Sequence, residues 1–263
     1  MPLPQILLLF PAGILSGIVS TVAGLASLVS YPALLLAGLP PVTANISNTI
    51  ALVANGAGAV LGSQKELRGQ GPRLRKSLPI TLAGGLAGGL VLIVAPSDSF
   101  ARVVPFFIAG AALIVLFPNQ VRALPGLLRR RAPDSVAPHP GPVRGAELLM
   151  FTGIFFTGMY GGYFGAAAGV IMMALLTATL DTPFTVTNAL KNTLGEAANA
   201  VAAILFLCTS TPRWDAIVPL ALGMFVGGYI GPRIFRRLNA VFLHWLIGLL
   251  ALGLAVVLFI QAY

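Results

Sequence analysis

The chain has 263 residues, of which 57% are hydrophobic and only 9% charged, with a net charge of +9. A soluble domain carries about 25% charged residues, so an ordinary soluble fold is excluded. The positive charges fall in short stretches between apolar runs, as on the cytoplasmic face of a membrane protein, so nucleic acid is not an expected partner. Cys208 is the only cysteine, which excludes disulfides and thiol-pair relays within the chain.

The predicted elements run as follows. A long apolar segment, Pro4–Ala23, stops at Gly24 and is read as a retained helix, since it has no basic stretch before it and no cleavage site. A short segment, Leu25–Leu39, ends at Pro40-Pro41, a turn because proline lacks an N–H and disfavours helix in the residue before it. Val42–Gly62 follows, carrying Asn45, Asn48, Thr49 and Asn55; a basic loop then holds Lys65, Arg68, Arg73, Arg75 and Lys76. Leu78–Ala95 and Val103–Phe117 complete this half. Residues 121–145 form a basic, proline-rich linker with Arg122, Arg129, Arg130, Arg131 and Arg144, in which His139 is a solvated loop residue.

Residues 146–263 repeat the series. Ala146–Phe164 stops at Gly165, Ala166–Leu180 is short, and Asp181-Thr182-Pro183 is the turn. Thr185–Cys208 carries Lys191, Asn192, Thr193, Glu196 and Asn199; Trp214–Gly231 and Val241–Ala262 finish the chain. Asn48-Thr49 and Asn55 return as Asn192-Thr193 and Asn199 at identical spacing, and Gly17 and Gly24 return as Gly158 and Gly165. The chain is therefore read as two copies of one hydrophobic unit, residues 1–120 and 146–263.

Corresponding loops exchange their charge. The basic loop at 65–76 matches one with Arg213 offset by Asp215, and the nearly neutral loop with Asp98 and Arg102 matches one with Arg233, Arg236 and Arg237. Positive charge marks the inside, so the halves lie in opposite orientations, which needs an odd number of crossings per half. The fold class expected is an all-α polytopic membrane protein of two inverted-topology repeats. Each has about five hydrophobic segments, including short helices that either cross or re-enter.

Broken segments at matched positions point to a transporter's binding site. Gly24 and Gly165 mark those breaks, and helix N-termini beside them suit an anion. Asn48 and Asn55 are seven residues apart, two helical turns, and share a face with Asn45; Asn192 and Asn199 repeat this. Amides are costly in lipid, so that face turns to a cavity or another helix. Lys191 and Glu196 replace Ser47 and Leu52 of the first copy. Intramembrane charges are functional candidates by default. Glu196, on the amide face, is assigned proton or cation coupling. Lys191 either attracts an anion or snorkels to the interface. Ser27, Ser30, Tyr31, Tyr160 and Tyr163 are further hydroxyl donors. Asn45, Asn48, Thr49, Asn55, Lys191, Asn192, Thr193, Asn199, Gly24 and Gly165 are the candidate substrate-binding residues, and no metal or other cofactor is expected.

The run from Gly13 through Gly17 to Gly24, then Leu39-Pro40-Pro41-Val42-Thr43-Ala44 to Thr49, with its echo from Gly158 to Thr193, resembles the TauE/SafE family of membrane permeases, also described as sulfite exporters. The resemblance covers nearly the whole chain; the longer turn at Asp181 and the lysine at Lys191 depart from a strict duplicate. It implies transport of sulfur-containing anions such as sulfite, sulfonates or sulfoacetate.

The expected function is therefore secondary transport by alternating access in a bacterial cytoplasmic membrane. The expected partners are a small anionic substrate and the lipid bilayer; the oligomeric state, a homodimer included, is left open. A carboxylate permease is the alternative within transport, and a membrane assembly or scaffold protein the alternative outside it. No nucleotide-binding motif is present, and no metal cluster or Ser–His pair lies in the spans, where His244 stands alone; an enzyme is not expected.

Overall fold

The computed structural model describes residues 3–116, 144–235, 249, 252–253 and 255–260. The linker arginines Arg122, Arg129, Arg130 and Arg131, His139, Arg236, Arg237, His244 and most of the last predicted span lie outside these residues. Every described element is a helix. α1 (Leu3–Ala23), α2 (Ser27–Leu36), α3 (Pro41–Gly62), the single turn α4 (Gln64–Leu67), α5 (Gly71–Val94) and α6 (Ser97–Leu116) precede the linker. After it come α7 (Arg144–Tyr163), α8 (Ala168–Thr179), α9 (Phe184–Thr209) and α10 (Trp214–Phe235). Residues 255–260 are helical as well.

The breaks fall where the sequence places them. Gly24 (φ 74°) and Gly165 (φ 73°) both adopt the left-handed conformation that glycine alone takes without strain. Their N–H groups close the helices before them, on Ser20 O at 2.8 Å and Tyr160 O at 2.9 Å. Pro40 and Pro183 are extended and start α3 and α9. One boundary differs from the expectation. Arg73, Arg75 and Lys76 belong to the first turns of α5, not to a loop, because Pro72 near the helix start is preorganised for it and needs no N–H partner.

Among the described residues, α5, α9 and α10 are long and apolar enough to cross a membrane. Large apolar side chains face outward along them, including Val94, Ile204 and Leu222 at 81, 62 and 57% exposure. Such faces need lipid or protein cover. The protein is an all-helical membrane protein.

Small residues set the packing. α1 and α10 run side by side in the same direction, Gly13 against Gly223 and Met224, then Gly17 against Met224 and Gly228. A Cβ on Gly17 would lie 2.5 Å from Met224 O, so this approach needs glycine. α5 and α7 pack in the same way, through Gly84, Gly88, Gly158 and Gly162. α3 packs on α10, α9 packs on α5, and α3 and α9 cross each other in the interior. Tyr31, Phe100, Phe107 and Phe164 form an edge-to-face and stacked cluster that joins α2 and α6 to the α7–α8 break.

Candidate functional site

Where α3 and α9 cross, Gly56 leaves room for Glu196. A Cβ at Gly56 would lie 2.5 Å from Glu196 Cβ and 2.7 Å from its Cγ. One carboxylate oxygen of Glu196 accepts from Asn55 Nδ2 at 2.6 Å, and the other accepts from Asn199 Nδ2 at 3.3 Å. Asn55 Nδ2 also donates to Ser20 Oγ at 2.9 Å. Glu196 is thus held by one amide from α3 and one from its own helix, α9.

Lys191 lies one and a half turns earlier on α9. It is 3% exposed, and its ammonium donates to Ser20 O at 3.3 Å. It is thus interior, not snorkelling. Ser20 serves both charged residues, its hydroxyl through Asn55 and its carbonyl directly. Asn188, nearly one turn before Lys191, donates to Thr21 O at 3.0 Å. In the other half Asn45 donates to Tyr163 O at 2.8 Å. α3 and α9 thus each reach carbonyls in the last turn of the other half's first helix, and Ser20 O accepts from both Gly24 N–H and Lys191.

These elements line a cavity of about 60 Å³. Gly24, Gly165, Lys191, Asn192, Glu196 and Asn199 line it, together with Ser20 and Ser27. The remaining candidates lie outside it. Asn48 is wholly buried, accepting from Ser30 Oγ at 2.5 Å and donating to Ser27 Oγ at 3.1 Å. Thr49 and Thr193 return their hydroxyls to Asn45 O and Ala189 O, one turn back on their own helices. Asn45 and Asn55 sit behind the cavity wall, each with a side-chain oxygen that has no partner among the described residues.

Asn192 is different. Its Nδ2 is buried with no hydrogen-bond partner among the described residues, in the wall of the cavity. A buried unpaired donor costs about 1–3 kcal/mol, which an acceptor entering the cavity would relieve. The Lys191 amine and this free N–H give the wall two donors suited to an oxyanion, beside the one carboxyl of Glu196.

Ser20, Gly56 and Asn188 escaped the sequence reading. Asn188 had a detectable signal, since it lies four residues before Asn192 on the same face. Ser20 had none, because it matches Gly161 in the second copy; Gly56 had only its place beside Asn55.

Comparison with known proteins agrees with the geometry. The model of the family described as sulfite exporter TauE/SafE matches residues 9–258. A probable membrane transporter protein, ORF9, of Sinorhizobium sp. is 27% identical over 94% of this chain and 90% of its own length. A probable membrane transporter protein of Haemophilus influenzae is 24% identical over 86% of this chain and 83% of its own. No solved structure matches the chain. With a match over nearly its whole length and interior-facing charges in an all-helical membrane fold, the chain belongs to the sulfite exporter TauE/SafE family of membrane transporters.

Proposed function

We propose that this transporter moves small sulfur-containing anions by alternating access between two inverted repeats, in the cytoplasmic membrane of a bacterium. The observation that carries the anion reading is the free Asn192 Nδ2 beside the Lys191 amine in the wall of a small cavity. The size supports a small guest. At about 10–15 Å³ per water, roughly five waters fit in the cavity, and a sulfur oxyanion of few heavy atoms needs similar room. A sulfonate with an organic tail needs the cavity to open further.

The packing supports the inverted repeat. α1 lies on α10 as α7 lies on α5, and α3 lies on α10 as α9 lies on α5. Each pairing goes into another when the halves are exchanged, α1 for α7, α3 for α9 and α10 for α5. The cavity carries Gly24 with its counterpart Gly165, Ser20 with Gly161, and Leu52 with Glu196, as a site on a pseudo-two-fold axis does.

Charge balance supports coupling through Glu196. Lys191 and Glu196 cancel in the empty cavity. A monovalent anion beside Lys191 leaves a net negative charge in a low-dielectric interior, which is costly unless compensated. A proton on Glu196 restores neutrality, so anion and proton move together.

The test is uptake of radiolabelled sulfite, and separately of a sulfonate, into proteoliposomes with and without an imposed proton gradient. Saturable sulfite uptake driven by the gradient is expected, and Glu196→Gln should transport without responding to it. An unchanged gradient response in Glu196→Gln removes the coupling role. Absence of flux for both substrates, with folded protein in the vesicles, removes the sulfur-anion reading.

A further inference from the structure

A second opening, of about 260 Å³, lies between α5, α7, α8 and α9, away from the transport cavity. Its floor is apolar: Leu176, Leu190 and Leu194 are 1, 2 and 2% exposed and belong to a continuous hydrophobic cluster. Its rim is cationic, with Arg73 and Lys76 on the first turns of α5. One carboxylate shares the rim: Glu147 lies 3.7 Å from Lys76, whose side chain remains 70% exposed. Arg73 makes a 2.7 Å bond to the neutral Gln70 and keeps its full charge.

The matching place in the other half is different. Arg213, the counterpart of Arg73, is tied to Asp215 by two bonds of 3.1 and 2.9 Å. Ala216 and Ile217, the counterparts of Lys76 and Ser77, are 0 and 2% exposed, and Leu9, the counterpart of Met150, is 0% exposed. The groove is therefore packed shut at that place and open at this one, where Arg73 bonds a neutral side chain and Lys76 shares one partly exposed carboxylate. The open side is the basic side, which positive-inside bias places in the cytoplasm.

We propose that this groove holds an anionic phospholipid of the cytoplasmic leaflet, its phosphate between Arg73 and Lys76 and an acyl chain on the leucine floor. The two chemistries of the groove match the two parts of such a lipid, and basic pockets between membrane helices take anionic headgroups. A free inorganic anion has no use for the apolar floor. A zwitterionic lipid, with a cation in its own headgroup, gains less from two basic side chains.

The experiment is native mass spectrometry of the purified full-length protein, titrated with phosphatidylglycerol and separately with phosphatidylcholine. One tightly retained phosphatidylglycerol is expected, preferred over phosphatidylcholine by roughly tenfold or more. Arg73→Gln/Lys76→Gln should remove that preference, and Arg73→Gln alone, at an exposed position, should lower it roughly fivefold. Leu180→Trp fills the half-buried edge of the groove with the charges intact, and should also prevent retention; Arg213→Gln should change nothing. Equal retention of phosphatidylcholine, unchanged retention in the folded Arg73→Gln variant, or displacement of the lipid by inorganic phosphate would each overturn the proposal.

Discussion

α3 and α9 carry the same asparagine pattern and put it to different uses. In α3 the amide of Asn48 is consumed, both its oxygen and its nitrogen bonded to the serines of α2. In α9 the matching Asn192 keeps an unpaired buried donor. The serines make the difference. Ser27 is matched by Ala168 and Ser30 by Ile171, so α8 has no hydroxyls at the two places that bond the amide in the first half. The same helix gained Lys191 and Glu196 where α3 has Ser47 and Leu52. In the proposed transporter, α3 fastens the scaffold while α9 keeps its donors for a ligand.

The sharpest break of this comparison is Asn192→Leu against Asn48→Leu. Asn192→Leu should abolish saturable anion uptake with little change in thermal stability, since no protein bond is lost. Lys191→Met comes next, raising the substrate KM roughly tenfold or more by removing the cavity's positive charge. Asn48→Leu should reverse the pattern, lowering unfolding stability by about 1–3 kcal/mol, seen as a lower melting midpoint, with flux through the folded fraction kept. Gly56→Ala should cost about 1–3 kcal/mol as the new methyl group pushes Glu196 aside. It should also blunt the response to a proton gradient without changing substrate affinity, which separates it from Asn48→Leu. Ser47→Ala is the smallest. Its buried hydroxyl has no partner among the described residues, so its melting midpoint should stay at or rise slightly above the parent's, a gain of about 1 kcal/mol or less.

Much of this was legible in the sequence because glycine, proline and asparagine carry local physics. Gly24 and Gly165 announce breaks that need positive φ, and Pro40 and Pro183 announce helix starts. Spacing on α9 places Asn192, Glu196 and Asn199 on one face, and three-dimensional packing brings them to one cavity. Partnership was not legible. Nothing local distinguishes the saturated Asn48 from the free Asn192, because the answer lies in serines 18 and 21 residues away on another helix. Nor does the sequence reveal that Asn55 reaches across to Glu196, or that Lys191 reaches Ser20, since those bonds join residues more than a hundred positions apart. The start of α5 was misplaced for a simpler reason: charged residues read as loop, while Pro72 opens a helix beneath them.

The most direct test of the central claim is sulfite uptake by Asn192→Leu and Asn48→Leu in parallel, in proteoliposomes normalised to folded protein. The account predicts no saturable uptake for the first and near-parental uptake for the second. Equal loss in both would contradict the division between the two helices, and full activity in Asn192→Leu would contradict the assignment of the site.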